Sequence, residues 1–144
     1  MDIGVQYQPF LNGMYEVPRG RFHYKARPGC QACGSTGERA GQDCECTLFN
    51  IFRECLEHWR ECDGCADPGG AEFRADLENV ARRALSPIGY RLFRKMLTDP
   101  SAVTWREQLG VGVAVGRACV ETQPYALYPI YDYHVPIHVT CSVK

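Results

Sequence analysis

Apolar residues in the middle of the chain recur at the spacing of α-helices. Over residues 47–62 they lie three or four positions apart, and charged residues fill the opposite side, which predicts an amphipathic helix. Its inward-facing residues are Leu48, Ile51, Phe52, Cys55, Leu56 and Trp59. The same spacing predicts a second helix over 71–85 and a third that starts at Ser86-Pro87, a cap followed by proline, and ends near Leu97. The inner face of the third helix is expected to comprise Ile88, Leu92, Phe93 and Met96.

The pattern is less decisive beyond the third helix. A start signal at Asp99-Pro100 predicts a short helix that ends at Gly110. Residues 111–123 alternate valine with glycine and alanine, as in a strand, but their position after a helix-ending glycine also suits another short helix that ends at Pro124. The helix is the preferred interpretation.

Two segments near the ends of the chain alternate apolar and polar residues and are predicted to be strands. Residues 22–26 do so over one short stretch, and residues 131–143 do so strictly, with Pro136 favouring an edge position. An antiparallel pairing of the two would bring the chain ends together. The predicted fold is therefore α+β. It has an extended segment 1–29, a cysteine-rich module 30–66 with the first helix, a helical segment 71–127 of three to four helices, and a C-terminal strand 128–144.

Composition indicates a globular protein. Of the residues, 45% are apolar and 11% aromatic, enough for a hydrophobic core. The first residues lack the basic start and apolar run of a signal peptide, and no stretch approaches the roughly 20 apolar residues of a membrane span. We therefore expect a cytoplasmic protein with no membrane partner.

The net charge of −1 conceals an uneven distribution. Residues 30–70 carry three bases and eight acids, whereas the segments on either side each have two more bases than acids. The cysteine-rich part is therefore acidic, and the flanking parts are weakly basic.

Nine cysteines are an odd and high number for a chain without an export signal, and close cysteine pairs in a reducing compartment more often bind metal than form disulfides. Cys30 and Cys33 form one pair, and Cys44 and Cys46 form another. Zinc takes four such ligands in a tetrahedron, and the glycines between the pairs let the chain fold back. Ordinary buried cysteines and a redox dithiol remain less favoured alternatives, because a polar glycine-rich loop offers little apolar burial.

The run Cys30-Gln31-Ala32-Cys33-Gly34-Ser35-Thr36-Gly37 resembles the C-x-x-C-x-G-x-G zinc knuckle of the DnaJ zinc domain, with Ser35 in place of the first glycine. The resemblance covers fewer than 20 residues. It implies a zinc-binding fold and does not imply chaperone activity.

Further cysteine and histidine residues, which are common metal ligands, lie near the end of the first helix. Cys62 and Cys65 form a second C-x-x-C, with His58 upstream. These three residues are candidates for a second metal site or for alternative ligands of the first, but the favoured interpretation gives Cys62 and Cys65 no role in metal binding. Cys55 and Cys62 are seven residues apart, about 10.5 Å along a helix, which is too far to share one zinc ion. Cys55, Cys119 and Cys141 are expected in the core.

No catalytic motif is present in the sequence. The chain lacks a nucleophile elbow, a phosphate loop and an H-E-x-x-H motif. His134, His138 and Asp132 lie on the polar side of the predicted C-terminal strand and are interpreted as exposed residues. We therefore expect no enzyme activity.

Basic residues cluster in the helical segment. Between residues 82 and 95 there are five bases and no acid, and together with one later arginine they form the candidate nucleic-acid-binding set. The set is Arg82, Arg83, Arg91, Arg94, Lys95 and Arg117. Residues 105–111 resemble the first helix and turn of a sigma-factor-like helix-turn-helix, with Gly110 as the turn glycine. Trp105 is expected in the core rather than as a stacking platform. The alternative interpretation of the basic cluster is a solvent-exposed helix face with no binding role.

The chain also resembles small uncharacterised bacterial and prophage proteins that join a cysteine-rich front to a sigma-factor-like helical region and end near a P-Y-x-L-[YF]-P-[LI] run. The run Pro124-Tyr125-Ala126-Leu127-Tyr128-Pro129-Ile130 carries this resemblance. It implies a role linked to DNA or to a transcription complex. The preferred hypothesis is a zinc-stabilised, non-enzymatic nucleic-acid-binding or transcription-regulating protein of phage origin. The alternative is an inhibitor or adaptor that docks on a host protein complex through the acidic cysteine-rich module.

Overall fold

The computed structural model describes residues 21–61, 68–124 and 127, with side chains of residues 68–70 excepted. Within these residues, four α-helices and one two-stranded antiparallel sheet make an α+β fold, which confirms the predicted fold class. The strands are β1 (Glu38–Arg39) and β2 (Gln42–Asp43), and the helices are α1 (Glu45–Glu61), α2 (Pro68–Ala84), α3 (Pro87–Thr98) and α4 (Trp105–Thr122). Short 3-10 helices occupy His23–Lys25 and Pro100–Ala102.

The chain divides into two compact units, residues 1–47 and residues 48–144. This boundary falls in the first turn of α1, whereas the sequence pattern predicts that the whole helix belongs to the cysteine-rich module. Most of α1 therefore packs with the later helices, because its apolar residues need the hydrophobic partners that the cysteine loop lacks.

The strand predicted over Phe22–Ala26 is wrong. The backbone forms a tight turn there, in which the Lys25 amide donates to the Phe22 carbonyl at 2.8 Å and the Ala26 amide donates to the His23 carbonyl at 2.9 Å. The aromatic rings pack locally, with the Tyr24 ring edge-on to those of Phe22 and His23, each at 6.0 Å between ring centroids. The predicted partner strand, within residues 128–144, lies outside the described residues.

The small sheet in the first unit is a tight hairpin. Glu38 pairs with Asp43 and Arg39 with Gln42, which leaves Ala40 and Gly41 as the loop. Both loop residues have positive φ, 52° and 81°, as a type I′ turn requires. This turn reverses the chain between the two cysteine pairs.

Helix α1 presents the apolar face that its periodicity predicts. Leu48, Ile51, Phe52, Cys55 and Leu56 are all buried, and Trp59 is half-buried. Its first turn carries Glu45, whose negative charge suits the positive end of the helix dipole.

Helices α2 and α3 are joined by a short link, and both contribute to the core. Phe73, Leu77 and Phe93 are fully buried. The Ser86 hydroxyl accepts a hydrogen bond from the Gly89 amide at 3.1 Å, which confirms the predicted helix start. Ile88 departs from prediction: its side chain is 65% exposed instead of lying in the core.

Helix α4 runs without interruption from Trp105 to Thr122, so the turn predicted at Gly110 is wrong and no helix-turn-helix forms there. The helical interpretation of residues 111–122 is confirmed. The helix starts at a capping box, in which the Glu107 amide donates to the Thr104 hydroxyl and the Thr104 amide donates to the Glu107 carboxylate, both at 3.2 Å.

Two glycines of α4 allow a close approach to α1. A Cβ atom on Gly116 would lie 2.0 Å from the Leu48 carbonyl oxygen, and one on Gly112 would lie 2.5 Å from the Phe49 ring. The two positions are one helical turn apart and share a face. Gly112 and Gly116 therefore serve helix packing.

Alanine substitutions at Gly116 and Gly110 distinguish the effect of close helix packing from the effect of helix propensity. Gly116→Ala places a methyl group against rigid backbone, so we expect it to lower the free energy of unfolding by about 1–3 kcal/mol. Gly110→Ala is the matched control. No atom lies within 4 Å of the position that its methyl group would take, so it should raise the unfolding free energy by about 0.5–1 kcal/mol through helix propensity. Urea denaturation measures both changes, and equal effects of the two substitutions would contradict this packing.

Candidate metal centre and basic helical residues

The first cysteine pair lies in a knuckle closed by backbone hydrogen bonds. The Gly34 amide donates to the Cys30 carbonyl at 2.8 Å, and the Thr36 amide donates to the Cys33 carbonyl at 3.1 Å. Gly34 and Ser35 both have positive φ, 63° and 66°. Serine therefore takes the left-handed conformation where the DnaJ-like pattern has glycine, and its hydroxyl accepts a hydrogen bond from the Gly29 amide at 2.8 Å.

The hairpin returns the chain so that the second pair faces the first. The Cys44 amide donates to the Gly37 carbonyl at 2.8 Å, which ties the end of β2 to the knuckle. Cys44 directly precedes α1, and Cys46 lies in its first turn. Gly37 has φ of 84°, and a Cβ there would lie 2.7 Å from the His23 Cα, so this position requires glycine.

The four sulfur atoms come together as predicted. All four Sγ atoms, of Cys30, Cys33, Cys44 and Cys46, lie within 4.8 Å of one another. Sγ of Cys30 is 3.9 Å from that of Cys44, and Sγ of Cys33 is 3.7 Å from that of Cys46. A metal ion at the centre of a sulfur tetrahedron with bonds of about 2.3 Å separates its ligands by about 3.8 Å. The cluster can therefore hold a metal ion.

Backbone amides point at two of the sulfurs. The Gly37 amide donates to Sγ of Cys33, and the Arg27 amide donates to Sγ of Cys46, both at 3.4 Å. Such bonds stabilise thiolates, the form of cysteine that binds metal. One of these two donors belongs to a glycine of the loop, Gly37.

Crowding sets the protonation of the thiols. Burial favours the neutral form of Cys30, but hydrogen bonds from the Cys33 backbone, from the Cys46 and Cys33 side chains and from the Ala32 backbone outweigh it and lower its pKa to about 6. Burial raises the pKa of Cys44 to about 12, and neighbouring thiols add to this rise. Burial also raises the pKa of Cys46. Without a cation the cluster favours few thiolates, and a central positive charge would favour all four.

Among the other predicted ligands, only His58 lies within the described residues, and it is not part of this cluster. His58 belongs to the helical unit, where its ring is buried and packs edge-on against Phe73 at 4.4 Å between centroids. Cys62 and Cys65 lie outside the described residues, as do Asp132, His134, His138 and Cys141. Cys55 and Cys119 are fully buried, which confirms their assignment to the core.

The predicted basic residues are at the surface of the helical unit. Arg82, Arg83, Arg91, Arg94 and Lys95 are exposed, and Arg117 is half-buried on α4. Two of them have partners. Arg82 donates to Asn79 Oδ1 at 3.3 Å and to the Tyr90 hydroxyl at 3.1 Å, and Arg94 forms an ion pair with Glu78.

Trp105 departs from prediction, because its side chain is 64% exposed instead of lying in the core. Its indole contacts the Phe49 ring edge-to-face, with centroids 5.3 Å apart. The apolar pattern alone predicts a core position for a tryptophan at the start of an apolar helix. The capping residues Thr104 and Glu107 were the available signal that this turn lies at the surface.

Comparison of the chain with protein-family models, with curated proteins and with solved structures finds no match. The resemblances to the DnaJ knuckle and to sigma-factor-like prophage proteins therefore stay predictions. Leu127, in the run that carries the second resemblance, is fully buried. Among the described helices, none has both the length and the apolar character that crossing a membrane requires.

Removing one sulfur should abolish metal binding and loosen the first unit. We expect Cys33→Ser to lose the metal ion and the hydrogen-exchange protection of amides in 30–47, because structural metal binding contributes directly to folding. Cys119→Ala is the matched control: it removes a buried thiol of the helical unit and should keep the metal and that protection. The readouts are elemental analysis and residue-resolved exchange. A Cys33→Ser protein with unchanged metal content and protection would contradict the assignment.

Proposed function

We propose that this chain is a non-enzymatic, zinc-stabilised protein whose helical unit binds nucleic acid through exposed basic residues. The observation that carries the binding role is the exposure of five bases on α2 and α3. In this proposal the zinc ion has a structural role, because its binding orders the cysteine loop.

Zinc is the metal that the donor set favours. Four cysteine sulfurs in a tetrahedral arrangement are typical of structural zinc sites, whereas calcium and magnesium prefer oxygen ligands. The four sulfurs fill all positions of a tetrahedron, and a catalytic zinc site keeps one position for water or substrate. A closed four-sulfur site therefore supports a structural role.

The arrangement of the bases supports contact with a polyanion. Arg91 and Lys95 are one turn apart on α3 and point to the same side. Arg83 lies in the last turn of α2, and the Arg82–Tyr90 hydrogen bond joins that turn to the start of α3. Among the described residues, none of Arg83, Arg91 and Lys95 forms an ion pair, so their charges are available to phosphates.

The pairing of Arg94 changes which residues should carry binding. Its guanidinium is already neutralised by Glu78, an acid that lies just before the base-rich stretch of sequence. Arg82 is held between Asn79 and Tyr90, with its guanidinium 5.2 Å from the centre of the Tyr90 ring. We therefore expect these two arginines to shape the surface, and Arg83, Arg91 and Lys95 to contact phosphates.

Charge reversal tests this role. We expect the double substitution Arg91→Glu and Lys95→Glu to weaken binding to DNA of every sequence and to reduce the slope of log affinity against log salt by about two units. The melting temperature should change little, because exposed substitutions usually alter stability by about 0.5 kcal/mol or less. Fluorescence anisotropy over a salt titration measures the slope.

Glu78→Gln is a control for which we expect the opposite change in affinity for nucleic acid. It releases the Arg94 guanidinium, so it should strengthen salt-sensitive binding instead of weakening it. If the wild-type protein shows no salt-sensitive affinity for nucleic acid, the proposal is wrong and docking on a protein complex becomes the better hypothesis. Unchanged binding after the double reversal would equally remove α3 from the interface.

A further inference from the structure

We propose that the pocket beside Trp105 holds one unstacked base of a single-stranded nucleic acid, with the indole as its stacking platform. This inference rests on the proposed function, which it narrows from nucleic acids in general to single strands at a second surface of the helical unit. The pocket is separate from the set Arg83, Arg91 and Lys95, none of which lines it.

The pocket has the volume of a small-ligand site. Its volume is about 460 Å³, within the range of roughly 300–1,000 Å³ that is typical for such sites. It lies between α1, the end of α3 and the start of α4. Its lining comprises Phe49, Phe52, Arg53, Leu56, Glu57, Arg60, Met96, Pro100, Trp105 and Gln108. Phe52 and Met96 are almost completely buried and form an apolar floor.

Trp105 is held in place but leaves a ring face for a ligand. The indole meets Phe49 with an angle of 83° between the ring planes, and such an edge-to-face contact involves at most one face of the indole. The side chain remains 64% exposed. The capping box at Thr104 fixes the turn that carries it. A preordered, exposed aromatic ring loses little entropy when a base stacks on it.

The polar lining favours an anionic ligand with a flat ring. Arg53, Glu57 and Arg60 line the pocket and are exposed, and two cations against one carboxylate leave it net positive. Arg60 is oriented by a hydrogen bond of 3.4 Å from its Nη2 to the Met96 carbonyl. Cations beside an aromatic platform are the combination by which proteins bind single strands, with phosphates on the cationic side chains and a nucleobase on the ring.

The wall on the α4 side is rigid, which suits a site for one flat ring. The Gln108 Nε2 donates to the Pro100 carbonyl at 3.0 Å and to the Val103 carbonyl at 2.9 Å, so this side chain ties the 3-10 turn to α4. A duplex keeps its bases stacked inside the helix, so it cannot place one on Trp105. An apolar peptide could cover the indole but would leave Arg53 and Arg60 without an anionic partner.

The experiment measures binding of a single-stranded DNA, a single-stranded RNA and a DNA duplex of equal length to the full chain. Trp105→Ala should weaken binding of both single strands by about 5- to 150-fold, the equivalent of the ~1–3 kcal/mol of one base–aromatic stack. Binding to the duplex should be unchanged. Trp105→Phe should keep most of the affinity. Ile88→Ala removes a second exposed large apolar side chain among the described residues and should leave all three affinities unchanged.

Intrinsic fluorescence gives a readout that a purely structural role would not change. The chain has two tryptophans, and stacking on Trp105 should quench emission of the wild type when a single strand is added. Trp105→Phe leaves Trp59, which is half-buried beneath the Arg74 guanidinium, and should abolish the quenching while affinity remains.

The outcomes separate this inference from the proposed function. If the wild type binds nucleic acid but Trp105→Ala binds single strands as tightly as before, the inference is overturned and the proposed function stands. The inference is also overturned if Trp105→Ala weakens duplex binding as much as it weakens single-strand binding. It is likewise overturned if Trp105→Ala changes self-association, measured by sedimentation, and leaves nucleic-acid binding unchanged. If the wild type binds none of the three probes, both proposals fail.

Discussion

The first unit depends on the crowding of four thiol groups. All four sulfurs lie within 4.8 Å of one another, and among the described residues Ala26 is the apolar side chain that packs against them. Burial raises the pKa of Cys44 to about 12 and also raises that of Cys46, whereas hydrogen bonds lower the pKa of Cys30 to about 6, so few of the four thiols ionise without a cation. A divalent cation at the centre would favour the thiolate form of all four cysteines. The type I′ hairpin and the knuckle fold the backbone so that the four sulfur atoms lie close together.

The helical unit is stabilised in a different way. Its core consists of aromatic and aliphatic side chains, with Phe52, Phe73 and Phe93 fully buried, and α4 approaches α1 closely at Gly112 and Gly116. This ordinary hydrophobic core leaves charged side chains and one tryptophan at the surface, where they are available for recognition. In the proposed function the metal orders one unit, and the other unit supplies both the basic residues of α2 and α3 and the pocket beside Trp105.

Features set by local periodicity or spacing could be predicted from sequence. Helices α1 to α3 follow from apolar residues three and four apart, and the cysteine ligands follow from two close pairs joined by glycines. Features that depend on tertiary partners could not. Gly110 was interpreted as a helix end, although the glycines of α4 serve a close helix crossing at Gly116. Residues 22–26 alternate like a strand, but ring contacts and a 3-10 turn account for the pattern. The exposure of Trp105 and the Glu78–Arg94 pair depend on neighbours that are distant in sequence.

X-ray absorption at the zinc edge tests the central claim most directly, because it reports both the metal and its ligands in the purified protein. The account predicts about one zinc ion per chain with four sulfur ligands at about 2.3 Å and none from nitrogen or oxygen. Loss of one sulfur from this shell in Cys33→Ser would assign the signal to the cluster. A folded protein without zinc, or a zinc shell in which nitrogen or oxygen replaces sulfur, would contradict the account.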